Sequence, residues 1–147
     1  MGPNMVGKPA PDFTLRTIDG QKSFSLADVR GQVTIIDFWA SWCAPCRKSL
    51  PQLAACDGKI PGVRVLAINI DDERQNGIDF ARHSRLKLVP LYDAGKKVVA
   101  AYDVPAMPSA LIIDGKGVVR FVHGGYSEDD VNTIINEAKS LAGRTSE

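Results

Sequence analysis

Long apolar runs and segments of helical periodicity alternate along the chain. Residues 33–38 (VTIIDF) and 63–70 (VRVLAINI) are nearly continuous apolar runs, which is typical of parallel strands buried on both faces of a sheet. The segment between them, residues 43–56, predicts a helix, and a strand, helix and strand in this order form a right-handed βαβ unit. Further on, residues 109–113 and 118–122 flank the turn sequence Asp-Gly-Lys-Gly and predict a β-hairpin.

The remaining elements complete an α/β pattern. An Asp-Gly turn between residues 13–16 and 22–25 predicts an N-terminal hairpin, and the proline in the short run 89–92 suggests an edge strand. Three further helices are predicted, at residues 73–84, 97–102 and from Ser127 to about Gly143. The last of them repeats apolar residues at helical spacing, which predicts its buried face.

Length and composition indicate one globular domain, which we assign to residues 6–143. The 147 residues are 44% hydrophobic and 24% charged, as is ordinary for such a domain. The net charge is +1 without a basic run, so nucleic-acid binding has no electrostatic basis. No stretch approaches the ~20 apolar residues of a membrane span. Residues 1–5 lack the apolar region of a signal peptide and are expected to be a flexible leader or a trimmed or engineered start.

Two cysteines with two residues between them are the chemical centre of the sequence. Cys43 and Cys46 follow a strand and open a helix, so the first thiol lies over unpaired backbone N–H groups at the positive end of the helix dipole. That environment favours the thiolate and predicts a lowered pKa for Cys43. Cys46 lies one helical turn further on, close enough for a disulfide, and Pro45 is tolerated in the first turn.

Two other interpretations of the cysteine pair are weaker. Half of a zinc site needs further ligands at short spacing, but Cys56, His83 and His123 are isolated in the sequence. Cys56 is expected in the core or at its boundary, and the two histidines are expected at the surface or the boundary. A purely structural disulfide that closes so short a loop restricts the unfolded chain little. The pair is therefore better suited to a redox cycle.

Several stretches carry a resemblance to a known family. Residues 37–46 (DFWASWCAPC), followed by Pro51, resemble the active-site segment of the thioredoxin superfamily. Residues 7–15 (GKPAPDFTL) and 102–109 (YDVPAMPS) resemble its TlpA/ResA branch of extracytoplasmic thiol–disulfide oxidoreductases, and residues 111–120 are similar to the cytochrome c maturation reductants of that branch. The resemblance spans about residues 6–141. It implies an α/β fold, a thioredoxin-like three-layer sandwich with a central mixed sheet and an extra N-terminal β-hairpin.

The resemblance also implies roles for two acids. Asp37, the one charge in an apolar strand, would lie beneath the cysteine pair and accept the proton of the resolving thiol; the alternative is a solvated acid at a strand end. Where thioredoxins carry a lysine near this acid, the matching residue is Ala67. Asp72 falls where ResA-like proteins carry a glutamate near the disulfide, but it would serve equally well as an acid at a helix start.

A substrate-binding surface is implied as well. Pro108 matches the cis-proline of the superfamily, which faces the first cysteine, and the backbone of Met107 would pair with a substrate strand. Pro90 and Pro105 are expected to be ordinary trans residues. Trp39 is expected to pack under the site, whereas Trp42 is expected to be half exposed and to offer partners an apolar surface.

Together these observations predict an enzyme, a protein disulfide oxidoreductase that acts as a reductant. Cys43 would attack a partner's disulfide and Cys46 would resolve the mixed disulfide. No bound cofactor or metal is needed, because an upstream dithiol protein supplies the electrons. The family implies exported protein substrates, such as the haem-binding cysteines of apocytochrome c. It also implies a periplasmic or otherwise extracytoplasmic location, with membrane contact, if any, only through an anchor that has been removed. We expect a monomer.

Two other functions are compatible with parts of the sequence. A peroxiredoxin begins with a similar leader, but it needs a threonine two residues before its reactive cysteine, where this chain has Ser41. A non-enzymatic thioredoxin-like binding module would not need the intact cysteine pair. Peroxide turnover would indicate the first, and a pair that never oxidises would indicate the second.

Overall fold

Seven strands form one mixed sheet in the order β2-β1-β5-β4-β3-β6-β7. The protein is described from a computed structural model that covers residues 5–104 and 106–145, so most of the predicted leader and Pro105 lie outside the described residues. The strands are β1 (Thr14–Thr17), β2 (Ser23–Ser25), β3 (Val33–Trp39), β4 (Val63–Asn69), β5 (Leu91–Tyr92), β6 (Ser109–Ile113) and β7 (Val119–Gly124). The helices are α1 (Ala44–Ala54), α2 (Arg74–His83), α3 (Lys97–Ala101) and α4 (Val131–Thr145), with 3₁₀ turns at Leu26–Val29 and Glu128–Asp130.

The centre of the sheet is β3, in which every residue is buried. It runs parallel to β4 and antiparallel to β6. Asp37 therefore lies between Ala67 on one side and Ala110 on the other. Two small apolar neighbours offer the carboxyl group neither a charge nor a hydrogen bond from their side chains.

The N-terminal hairpin extends the sheet instead of lying apart from it. β1 pairs with β2 and also, antiparallel, with β5. The prediction of an edge strand at residues 89–92 is therefore wrong, because β5 lies between β1 and β4. Pro90 is compatible with this position since the paired residues are only Leu91 and Tyr92, and the Pro90 carbonyl accepts a hydrogen bond from Ile18 N–H (2.8 Å).

Helices cover both faces of the sheet. Phe38 and Trp39 point to opposite faces, as neighbours on a strand do. Phe38 contacts Tyr102, directly after α3, and Trp39 contacts Phe80 of α2. On β3, Val33 and Ile35 share a second cluster with residues of α1 and α4. The predicted central mixed sheet, the helical layers and the extra hairpin are confirmed. Within the described ranges, no helix combines the length and apolar character that crossing a membrane requires.

Candidate active site

The end of β3 and the start of α1 place the cysteine pair. Cys43 is the N-cap of α1, with an extended backbone (φ −95°, ψ 109°), and Pro45 lies in the first turn. Cys43 and Cys46 form a disulfide, with their Cα atoms 5.3 Å apart. The Cys46 N–H also points to Cys43 Sγ (3.3 Å). A backbone donor at a helix start is the kind of group that stabilises a thiolate, so the local geometry agrees with Cys43 as the nucleophile.

The two cysteine residues differ slightly in their exposure to solvent. Cys43 is 5% exposed, whereas Cys46 is fully buried. Trp42, directly before Cys43, is 64% exposed, and Trp39 is completely buried. A partner's disulfide can therefore approach Cys43 beside the large apolar ring of Trp42. The buried Cys46 can react only with Cys43, within the protein.

Asp37 is a buried carboxyl group and not a solvated acid at a strand end. It is 0% exposed, and its Oδ1 accepts a hydrogen bond from the Tyr126 hydroxyl (2.9 Å). Its Oδ2 has no hydrogen-bond partner among the described residues. Burial raises the pKa of Asp37 to about 8, and the Tyr126 hydrogen bond opposes that rise. A carboxyl group of this kind can take up and release a proton near neutral pH.

Tyr126 is the residue of this cluster that the sequence did not reveal. It is 3% exposed, its N–H donates to the Pro108 carbonyl (3.2 Å), and the Ser49 side chain of α1 lies beside its hydroxyl. Ser49 Oγ also lies 3.1 Å from the Pro45 carbonyl. We call Asp37, Tyr126 and Ser49 the buried polar cluster. No motif marks a tyrosine that lies 89 residues from its carboxylate partner.

The second predicted acid, Asp72, does not lie among the buried groups of the site. Its side chain is 84% exposed and forms an ion pair with Lys96. The adjacent Asp71 is buried instead, at 2% exposure. The chain leaves β4 at Asn69, and the turn that follows directs Asp71 inward and Asp72 outward. The expectation that Asp72 acts at the disulfide therefore has no support in the structure.

Asp71 holds the loop that carries the nucleophile. Its carboxylate accepts hydrogen bonds from Ser41 N–H (3.0 Å), Ser41 Oγ (2.8 Å) and Asn69 Nδ2 (2.8 Å). Arg47 Nε donates to the Ser41 carbonyl (2.8 Å) from α1. We call Asp71, Ser41 and Asn69 the loop clamp. It connects the end of β4 to the residues just before Cys43, and no motif in the sequence marks it.

The loop before β6 lies at the same end of the sheet as the cysteines. Ser109 pairs with Phe38, so Met107 and Pro108 come beside the end of β3. The Met107–Pro108 peptide bond is cis; Pro108 is buried and Met107 is half-buried. The predicted contact of this loop with a substrate strand stays a prediction.

The other reactive side chains lie outside this arrangement. Cys56 is a free, half-buried cysteine, and burial raises the pKa of its thiol. His123 pairs with Glu137 (2.6 Å), and His83 is exposed. Across residues 5–104 and 106–145, no group of three or more histidine, cysteine, aspartate or glutamate side chains converges as a metal site.

Comparison with known proteins gives consistent matches over most of the chain. A model of the AhpC/TSA family matches residues 6–122. The thiol–disulfide oxidoreductase ResA of Bacillus subtilis is 31% identical over 136 residues, which are 90% of this chain and 75% of ResA. A protein from Chlorobium tepidum, assigned as thiol:disulfide interchange protein DsbE, superposes with a TM-score of 0.86 at 31% identity, covering 94% of this chain and 98% of the other. The exposed lipoprotein thioredoxin Etrx1 of Streptococcus pneumoniae gives a TM-score of 0.72 at 28% identity, covering 89% of this chain and all of Etrx1.

Proposed function

Because the chain belongs to the AhpC/TSA family and is a thiol–disulfide oxidoreductase related to ResA, we propose that it reduces disulfides of exported proteins through a Cys43–Cys46 dithiol–disulfide cycle. The observation that carries this proposal is the asymmetry of the pair. Cys43 caps the helix and keeps 5% exposure beside the exposed Trp42, whereas Cys46 lies on the next turn and is fully buried. Such a pair can form a mixed disulfide and then resolve it.

The proposed reaction begins with both cysteines reduced. The Cys43 thiolate attacks one sulfur of the partner's disulfide, which breaks that bond and releases the partner's other sulfur as a thiolate. Cys46 then loses its proton and attacks Cys43 Sγ, so that the Cys43–Cys46 disulfide forms and the partner leaves with both sulfurs reduced. Two electrons pass from the protein to the partner, and an upstream dithiol protein returns them in a later exchange.

Asp37 fits the role of proton acceptor for Cys46. Cys46 is on the buried face of α1, and Asp37 is buried in the strand that leads into that helix. A thiol without access to water needs an internal base before it can act as a nucleophile. The unpartnered Oδ2 of Asp37 is available for that proton.

The partner surface in this proposal consists of Trp42 and the loop at Met107 and Pro108. Trp42 offers an exposed apolar ring next to Cys43, and the loop would align a substrate strand by backbone hydrogen bonds. The resemblance to the extracytoplasmic TlpA/ResA branch and the similarity to the exposed lipoprotein Etrx1 support substrates outside the cytoplasm, with apocytochrome c cysteines as one class. We further propose that residues 6–143 act as one monomeric domain.

A peroxidase is the competing proposal within the same family, and Ser41 argues against it. The Ser41 hydroxyl donates to Asp71 (2.8 Å), so it is already engaged in the loop clamp. Peroxide reduction is tested directly by following hydrogen peroxide consumption with a dithiol donor. We expect negligible turnover compared with disulfide reduction.

Trapping variants test the proposed cycle. The substrate is a synthetic Cys-X-X-Cys-His peptide in its disulfide form, because this sequence is the haem-attachment motif. Cys46→Ser should accumulate a mixed disulfide with this peptide through Cys43, which dithiothreitol releases. Cys43→Ser is the matched control and should trap nothing. Equal trapping by both variants would overturn the assignment of nucleophile and resolving cysteine.

A further inference from the structure

Tyr126 connects three parts of the site that the fold brings together from distant segments. Its hydroxyl donates to Asp37 on β3, its hydroxyl oxygen meets Ser49 on α1, and its N–H donates to the Pro108 carbonyl. No other described side chain hydrogen-bonds to the Asp37 carboxyl group. Burial has the largest effect on the pKa of Asp37, and Tyr126 is the one described side chain whose hydrogen bond opposes it.

The surroundings of Asp37 give Tyr126 this influence. On the neighbouring strands, Ala67 and Ala110 face the carboxyl group without charge. Ala67 occupies the position of the thioredoxin lysine, and no cation among the described residues pairs with the Asp37 carboxylate. Hydrogen bonding to an ionised carboxylate favours the charged form, so the phenol substitutes for the missing cation.

We propose that Tyr126 is a positioning residue that keeps Asp37 able to accept the Cys46 proton, which deepens the proposed function and rests on it. In the resolving step, the Cys46 S–H proton passes to Asp37 Oδ2. The Tyr126 O–H remains bonded to Oδ1 and stabilises the carboxylate before that transfer. The Cys46 sulfur then attacks Cys43 Sγ, and the partner's sulfur leaves as a thiolate.

The titratable groups that face this pair are few. Cys46 and Ser49 are one turn apart on the buried face of α1, and only Cys46 of these titrates. Burial is the largest cause that raises the pKa of Tyr126, and the charges of Asp37 and of Asp130, in the turn before α4, raise it further. The phenol therefore stays protonated and remains a donor across the working pH range.

Removing the phenol hydroxyl should change the pH dependence of resolution. In Tyr126→Phe the ring remains and only the donor is lost, so Asp37 should become harder to ionise. A hydrogen bond to a charged group corresponds to a shift of about one pH unit. We expect the midpoint of Asp37 ionisation to rise by that amount. Release of the peptide from the mixed disulfide should slow by about threefold to tenfold at pH 7, because a stronger base partly offsets its smaller ionised fraction.

Tyr102→Phe is the matched control. Tyr102 is also completely buried, and its hydroxyl donates to the Pro11 carbonyl (2.6 Å), so the variant loses one buried hydrogen bond without touching Asp37. Tyr102→Phe should leave the midpoint of Asp37 ionisation and the pH profile of peptide release unchanged.

The experiment measures two quantities in the wild type and both variants. Carboxyl ¹³C NMR follows the ionisation of Asp37 in the oxidised protein, and stopped-flow kinetics follow peptide release between pH 6 and 10. The NMR measurement needs no turnover, so it tests the Tyr126–Asp37 link even if the proposed reductase function fails. An unchanged Asp37 midpoint in Tyr126→Phe, or a shifted midpoint without a shifted rate profile, would overturn the proposal.

A second variant covers the case in which Tyr126→Phe does not fold. Ser49→Ala removes the hydroxyl that lies beside the phenol oxygen. Tyr126 itself is unchanged in this variant. Because the phenol then loses a partner that restrains it, the Asp37 midpoint should rise by a smaller amount. No rise in this variant would contradict the cluster as described.

Discussion

Two buried aspartates flank the segment that carries the cysteine pair, and they differ in how many hydrogen bonds their carboxyl groups accept. Asp37 is 0% exposed and Asp71 is 2% exposed. Among the described residues, the Asp37 carboxyl group has one hydrogen-bond donor, Tyr126, whereas the Asp71 carboxylate has three donor groups from Ser41 and Asn69. Burial alone therefore does not decide what an acid does. A fully hydrogen-bonded carboxylate holds structure, and one with an unpartnered oxygen is free to exchange a proton.

Replacing the proton acceptor should give the largest effect. Asp37→Asn keeps the shape of the side chain but cannot take a proton from Cys46. We expect resolution of the mixed disulfide to slow by about 100-fold at pH 8, as is usual when a general base is lost. Stopped-flow release of the peptide measures this step, and attack by Cys43 on dithiothreitol disulfide serves as the internal control. A wild-type rate of release would return Asp37 to a purely structural role.

Replacing the structural acid should mainly cost stability. Asp71→Ala leaves the Ser41 and Asn69 donors of the loop clamp without their acceptor. We expect the free energy of unfolding to fall by about 2 kcal/mol, measured by urea denaturation of the oxidised protein. If Asp71→Ala unfolds at the wild-type midpoint, the loop clamp is not the stabilising feature that its hydrogen bonds indicate.

The pH dependence of stability should separate Asp37 from every well-paired acid. Unfolded, this carboxyl group titrates near its ordinary pKa of about 4, and folded it titrates at about 8. Between these values the folded protein holds a proton that the unfolded chain has released. The contribution of Asp37 to stability is thus fully present below pH 4 and is lost as the pH rises to about 8. The slope should approach, at most, about 1.4 kcal/mol per pH unit.

Asp37→Asn provides the comparison for that slope. The variant has no titrating group at this position, so its stability should fall less steeply over the same pH range. Urea unfolding at half-unit pH intervals gives both curves, and superimposable curves would contradict the raised pKa.

Replacing Asp72, the neighbour of Asp71 in the sequence, should have the smallest effect on stability and activity. Asp72 is exposed and pairs with Lys96 at the surface, where solvent screens the attraction between the two charges. Asp72→Ala should leave the midpoint of urea unfolding and the rate of peptide reduction unchanged. A strong loss of activity would restore the role that the resemblance implied for this residue.

The fold was predictable from the sequence because its signals are local. The apolar runs of β3 and β4, the turn at residues 114–117 and the helix that opens at Cys43 each identify themselves within a few residues, and the comparisons confirm the thioredoxin-like fold. The position of β5 was not predictable. Pro90 indicated an edge, but the pairing of β1 with β5 depends on residues about 75 positions apart.

The site was predictable only in part, for the same reason. The cysteine spacing and the lone acid in β3 are visible in the sequence, and Asp37 is indeed buried. The choice between Asp71 and Asp72 depends on how one turn after β4 directs its side chains, which no periodicity specifies. Tyr126 meets Asp37 only because α1, β3 and the segment after β7 converge in the folded chain.

The two tryptophans near the cysteine pair give the protein an intrinsic fluorescent reporter. The chain contains only Trp39 and Trp42, one completely buried and the other 64% exposed beside Cys43. A dissolved quencher such as iodide can collide with Trp42 but not with Trp39. The emission that iodide removes should therefore follow the oxidation of Cys43 and the arrival of a partner, whereas the emission that iodide leaves should follow the integrity of the interior. Both signals can be recorded from the unlabelled protein in one cuvette.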